Sequence, residues 1–227
     1  MNMDPLNLKV KICGIRNVED ALVAAEAGAD FIGMVFVPER HRRITSKEAK
    51  VIVEGVRNSS GPKPRIVGLF ADQPIEEVAA IVDFCRLDLA QLCGKESVEY
   101  AAQTGCGVIK VVHVIESASV EDDGGTKLKA KEYSGVGHLV TLDRYVEGIQ
   151  GGTGKGFDWQ VAASLAQEGN PFLLAGGLSP NNIADAISIV KPWGVDVSSG
   201  VETDGEKDHT KIREFMRIAK EAAAKLT

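Results

Sequence analysis

Short apolar runs of four to six residues recur along the chain, near positions 8–13, 31–36, 66–70, 89–92, 108–112, 139–143, 172–176 and 194–198. They are rich in valine, isoleucine and leucine, the composition of buried strands. Between them lie stretches of helical character. Strands alternating with helices predict a parallel sheet. Eight such units predict closure into a single-domain (β/α)8 barrel of the α/β class, one catalytic domain over residues 1–227. No linker or low-complexity tract divides the chain, and RNSSGPKP at 57–64 reads as a loop between the second helix and third strand.

Several helices announce their ends. The first begins near Asn17 and stops at Gly28, a usual C-terminal residue. Thr45 and Glu48 form a capping-box pattern before the second. Asp72-Gln73-Pro74 predicts a cap and a first-turn proline for the third, and Ser179-Pro180 the same for the seventh. A last helix over 208–226 carries Ile212, Phe215, Ile218, Ala219, Ala222 and Leu226 at helical spacing, a core-facing stripe. A helix near 127–133 follows an acidic loop, Glu121 to Gly125.

Alternation within each run separates two faces. Val10 and Ile12 oppose Lys11 and Cys13; Val140 and Leu142 oppose Asp143; Val195 and Val197 oppose Asp196; Ile109 and Val111 oppose Lys110; Gln91 opposes Ala90 and Leu92. If every apolar face packs on helices, then Lys11, Cys13, Gln91, Lys110, Asp143 and Asp196 surround one lumen. A structural barrel fills that space with branched aliphatics. Two lysines and two aspartates allow an internal salt-bridge cluster. Cys13 and Asp143 also end their strands, and strand C-termini form the active face of this fold.

The ligand expected there is phosphorylated. Ala175-Gly176-Gly177-Leu178 follows the seventh run and Ser198-Ser199-Gly200-Val201 the eighth. Phosphate sites of this fold use these two loops and a short helix N-terminus, and glycine lets backbone N–H groups approach an anion. Gly151-Gly152-Thr153-Gly154-Lys155 lacks the GxxxxGK[ST] spacing and reads as an active-face loop, not a P-loop.

Composition narrows the partners. A net charge of −6 gives nucleic acid no footing, and Arg40-His41-Arg42-Arg43 is the one dense basic run. No apolar run is long enough for a membrane span, and no signal core opens the chain. Cys13, Cys85, Cys93 and Cys106 show neither metal-ligand spacing nor a disulfide pattern, which suits a reducing cytoplasm and no metal. Oligomeric state is not legible.

Several segments together resemble phosphoribosylanthranilate isomerases. They are Val10-Lys11-Ile12-Cys13-Gly14-Ile15, Gly33-Met34-Val35-Phe36 with Pro38 and Arg42, Val67-Gly68-Leu69-Phe70, Gln91-Leu92, Leu142-Asp143, the stretch 151–159, Ala175-Gly176-Gly177-Leu178, and Asp196-Val197-Ser198-Ser199-Gly200-Val201-Glu202. The resemblance covers nearly the whole chain. It implies an Amadori rearrangement of N-(5′-phosphoribosyl)anthranilate to 1-(2-carboxyphenylamino)-1-deoxyribulose 5-phosphate in tryptophan biosynthesis, with no cofactor. It implies Asp143 as general acid, Cys13 as general base and Arg42 as the grip on the anthranilate carboxylate, with Asp196 taking ribose hydroxyls. Lys11, two positions before Cys13, would favour its thiolate. Two positions depart from the pattern: Cys93 stands where histidine is common, and Arg43 where an aromatic residue often follows the arginine. Two other readings stay open. One is the related histidine-pathway sugar isomerase, which usually has aspartate at the Cys13 position and needs two phosphate sites. The other is a phosphosugar-binding barrel without turnover.

Overall fold

The computed structural model describes residues 8–115, 124–145, 159–169 and 171–226. Its strands are β1 (Lys9–Cys13), β2 (Phe31–Val35), β3 (Arg65–Phe70), β4 (Leu89–Leu92), β5 (Gly107–Ile115), β6 (Leu139–Tyr145), β7 (Phe172–Leu174) and β8 (Gly194–Val197). Each pairs in parallel with the next, and β8 pairs with β1, closing an eight-stranded barrel. The helices are α1 (Val18–Ala27), α2 (Ser46–Asn58), α3 (Ile75–Cys85), α4 (Val98–Ala101), α5 (Gly124–Gly135), α6 (Trp159–Gln167), α7 (Ile183–Val190) and α8 (His209–Ala224). Among the described residues no helix is long and apolar enough to cross a membrane.

Two separate apolar clusters position the site. Between strands and helices lie Val10, Ile12, Ile32, Met34, Val140, Leu142, Val195 and Val197, with Ile212, Phe215 and Ala219 of α8. Inside the ring, Phe31, Val67, Leu89, Ile109 and Leu173 fill the N-terminal half of the lumen. That plug leaves only the C-terminal half open to solvent and ligand.

One strand contradicts the inward-charge expectation. In β5 the apolar Ile109 joins the lumen plug, and Lys110 points out into the helix layer. Its Nζ donates to Glu96 Oε2 at 2.6 Å and to the Gly94 carbonyl at 2.8 Å. Tyr133 of α5 donates to the Glu96 carbonyl beside them. A buried lysine is tolerable on either side of a strand once it is paired. The lumen therefore holds no second lysine–aspartate pair built on Lys110.

Local signals hold in most places. Asn17 accepts from the Asp20 N–H at the start of α1, and Gly28 ends it at φ 92°. The Thr45–Glu48 capping box is formed in both directions. Asp72 does not cap α3. It sits at φ 54° and accepts from the Lys95 N–H, tying the β3 and β4 loops together, and Pro74 takes the cap position. Ser179 does not cap α7 either: a turn intervenes, its carbonyl accepts from Asn182 and Ile183, and the helix starts at Ile183. Strand β7 ends at Leu174, two residues short of the expected run, and β6 continues two past Asp143 to Tyr145.

Candidate active site

A cavity of about 270 Å³ opens at the C-terminal ends of the strands. Cys13, Arg42, Gln91, Asp143 and Asp196 line it, with Gly176, Gly177, Ser198 and Ser199 along one rim. Alternation on β1, β4, β6 and β8 delivers the four inward groups, and the loops after β2, β7 and β8 supply the remainder.

Beneath the mouth, Lys11 on β1 and Asp196 on β8 are register neighbours and form a buried ion pair at 2.8 Å. Gly33 of β2 makes room for it. A Cβ there would meet Cys13 Sγ at 3.0 Å and Lys11 Nζ at 3.1 Å. Burial alone would discharge Lys11, but Asp196 and Cys13 outweigh it and raise its pKa above the ordinary value. The lysine stays charged. Cys13 behaves otherwise: burial pushes its thiol up, and the opposing pull of Lys11 does not reverse the shift. The second oxygen of Asp196, Oδ1, is buried without a hydrogen-bond partner among the described residues.

Arg42 lies across Gly14, where an added Cβ would approach Arg42 Cδ to 2.5 Å. Gly14 adopts φ 79°, which favours glycine independently. The guanidinium is held by Glu202, Nε to Oε1 at 2.7 Å and Nη2 to Oε2 at 2.6 Å. Lys207 donates to the same Oε1 at 2.6 Å and to the Ser198 carbonyl at 2.9 Å. Burial would raise the Glu202 carboxyl, yet the bonds from Arg42 and Lys207 hold it below the usual carboxylate range.

The glycine loops meet. Gly176 and Gly177 take successive positive φ values of 95° and 68°, turning the chain sharply after β7. Asn182 pins this turn by donating to the Gly177 carbonyl at 3.0 Å. After β8 a single 3-10 turn spans Ser199–Val201, and the leading N–H groups of such a turn have no acceptor within it. A Cβ on Gly200 would lie 1.8 Å from the Leu178 carbonyl oxygen, so the two loops are in backbone contact.

Asp143 sits on β6 in register with His113 of β5, and both line the cavity. His113 Nε2 lies 3.5 Å from the Cys93 carbonyl oxygen. Burial, then the neighbouring Cys13, pushes the Cys93 thiol up to about 12, so it stays protonated.

A family model for N-(5′-phosphoribosyl)anthranilate isomerase matches residues 10–218. The chain belongs to that family. The N-(5′-phosphoribosyl)anthranilate isomerase of Dehalococcoides mccartyi is 45% identical over 218 residues, 95% of this chain and 97% of that protein. The one from Roseiflexus is 44% identical, covering 95% and 99%. The crystal structure of the Thermotoga maritima enzyme superimposes with a TM-score of 0.81 at 34% identity, over 94% of this chain and 99% of that one. A family structure solved with reduced 1-(o-carboxyphenylamino)-1-deoxyribulose 5-phosphate superimposes with a TM-score of 0.77 at 32% identity, over 94% and 99%.

Within this isomerase family frame, Cys13, Asp143, Arg42, Asp196, Gly176, Gly177, Ser198 and Ser199 converge on one cavity. Gly200 stands directly behind its rim against Leu178. The stretch 151–155 and the acidic positions 121–123 lie outside the described residues. Sequence reasoning assigned no role to Glu202 or Lys207. A signal was present: Asp204-Gly205 between them is a strong hairpin dipeptide. It forms one here, with φ 52° and 80° at the turn and β9 (Glu202–Thr203) pairing with β10 (Glu206–Lys207).

Proposed function

We propose that this isomerase works by general acid–base catalysis with Asp143 and Cys13. The supporting observation is a carboxylate and a thiol at one mouth, on strands three apart around the ring, beside a glycine cradle. The cradle would hold the 5′-phosphate through backbone N–H groups of Gly176, Gly177, Ser199 and Gly200. Arg42 would take the anthranilate carboxylate, and Asp196 Oδ1 a ribose hydroxyl.

In this reading Asp143 protonates the furanose ring oxygen. The C1′–O bond breaks and the anthranilate nitrogen becomes part of a Schiff base. Cys13, as thiolate, removes the C2′ proton, and the electrons of that bond form an enolamine. Tautomerisation gives the 2′-ketone. Every step moves a proton, so the chemistry calls for neither a redox partner nor a metal. The substrate is a small phosphorylated molecule of the cytoplasm, and neither nucleic acid nor a membrane has a part.

Loss of substrate fluorescence on adding the purified protein tests the activity. Tight, phosphate-dependent binding without turnover would instead support the non-catalytic phosphosugar-binding barrel.

The buried thiol sets a pH expectation. The base works deprotonated, so kcat/KM rises with pH through the Cys13 pKa. Because burial raises that pKa, the rising limb lies above the free-thiol value of about 8.5. A rising limb centred below pH 7 would assign it to another group.

Arg43 supplies a contrast within the basic run. It is exposed and outside the cavity lining. Arg42→Ala is expected to raise KM roughly tenfold or more, the loss of one charge-assisted bond. Arg43→Ala should stay within about twofold, the usual scale of surface changes. Equal KM effects would place the carboxylate grip elsewhere.

A further inference from the structure

Arg42 cannot offer its whole guanidinium to a ligand. Its Nε and Nη2 are already engaged in a side-on fork with Glu202. What remains for a ligand is the end-on edge, formed by Nη1 and the outer hydrogen of Nη2. Glu202 also brings a negative charge that cancels that of Arg42. The pair alone carries no net charge, so an incoming carboxylate would meet only the donors of that edge.

Lys207 changes that balance. Its side chain is 2% exposed and Glu202's is 6%, against 20% for Arg42. Two cations therefore share one buried anion, and Arg42 is the member of the trio nearest to solvent. Burial pulls the Lys207 pKa down, and the Glu202 carboxylate opposes that pull without reversing it. Lys207 also donates to the Ser198 carbonyl, which precedes the 3-10 turn of the glycine cradle. One ammonium thus links the Arg42 side of the cavity to the phosphate side. The β9–β10 hairpin fixes this arrangement, pairing Lys207 with Glu202 in register.

We propose that Glu202 and Lys207 are positioning residues for the substrate carboxylate: Glu202 selects the edge of Arg42 that meets it, and Lys207 keeps the subsite cationic. This inference rests on the reading of Arg42 as the carboxylate grip. It goes beyond that reading by making the subsite a three-residue unit with one net positive charge, selective for a monoanionic planar group at a set distance from a phosphate.

The test is a double-mutant cycle on purified full-length protein, read in KM and kcat. Glu202→Gln and Lys207→Met should each raise KM roughly three- to tenfold with kcat within about twofold, the scale of one hydrogen bond. In an Arg42→Ala background Glu202→Gln should add almost nothing, and Lys207→Met no more than the loss of its bond to the Ser198 carbonyl. A charge-specific readout accompanies it: binding of the reduced product analogue against its carboxamide counterpart. Lys207→Met should weaken the carboxylate form several-fold more than the carboxamide, and Lys207→Arg should restore the difference. If Lys207→Met does not fold, Lys207→Gln carries the same charge test. Additive effects in the Arg42→Ala background, or equal loss of both analogues, would overturn the inference and leave the trio a structural clasp. An unchanged KM in Arg42→Ala alone would be a separate failure, that of the carboxylate grip itself.

Discussion

Cys13→Ala is expected to lower kcat by at least about 10²-fold, the usual contribution of a positioned general base. The thiol is buried at the end of β1 and surrounded by Lys11, Asp196 and the Gly33 backbone. Alanine fits the same space, so the fold should persist and the loss should appear in turnover. Asp143→Asn keeps shape while removing the acid, and should act on kcat to a similar extent. Binding of the reduced product analogue should survive in both variants, because the proposed phosphate and carboxylate contacts lie on other loops. Near-normal turnover by Cys13→Ala would remove the thiol from the mechanism and point to Asp196 as the base. Lost analogue binding would mean that the side chain shapes the pocket.

Gly200→Ala should raise KM at least about 10²-fold, through the phosphate. The new Cβ would lie 1.8 Å from the Leu178 carbonyl oxygen, 2.8 Å from its carbon and 3.0 Å from Ser179 Cα. All three atoms are backbone, so no rotamer relieves the overlap, and the loops after β7 and β8 must separate. Losing two charge-assisted bonds at about 1.5–3 kcal/mol each accounts for the magnitude. Inhibition by inorganic phosphate should weaken in parallel. Gly61→Ala, where a Cβ meets nothing within 4 Å, is the control and should be silent. A Gly200→Ala enzyme with normal KM would show that the phosphate does not depend on this contact.

How far the sequence carried depended on what each pattern can encode. The barrel was legible because eight apolar runs with helical spacers allow few other closures. The inward faces of β1, β4, β6 and β8 were legible because, within the runs 8–13, 89–92, 139–143 and 194–198, the polar groups fall on one side only. The same rule failed on β5. A two-residue period separates two faces without saying which is inside, and Lys110 finds Glu96 only 14 residues back in the chain. The caps expected at Asp72 and Ser179 are absent because Asp72 accepts instead from the Lys95 N–H, 23 residues on, and Ser179 opens a turn of its own before the helix. Burial was invisible for Cys13: the Lys11 spacing suggested a thiolate, but desolvation exceeds the effect of one ammonium already shared with Asp196. Glu202 and Lys207 lay in plain view, yet their meeting with Arg42 spans 160 residues, beyond any local pattern.

The Lys11–Asp196 pair joins positions 185 residues apart. A ribosome adding about 5–20 residues per second needs roughly 10–40 s to travel between them. Throughout that interval the nascent chain carries Lys11 and Cys13 without the strand that closes over them. The barrel has no edge only after β8 docks on β1, and until then both edges offer unpaired backbone to other chains. Cys13 is thus uncovered during synthesis and largely buried at the cavity once the barrel has closed. The same late contact that completes the site also ends the chain's most vulnerable period, so substitutions that slow β8 docking should depress cellular yield even where the finished enzyme is sound.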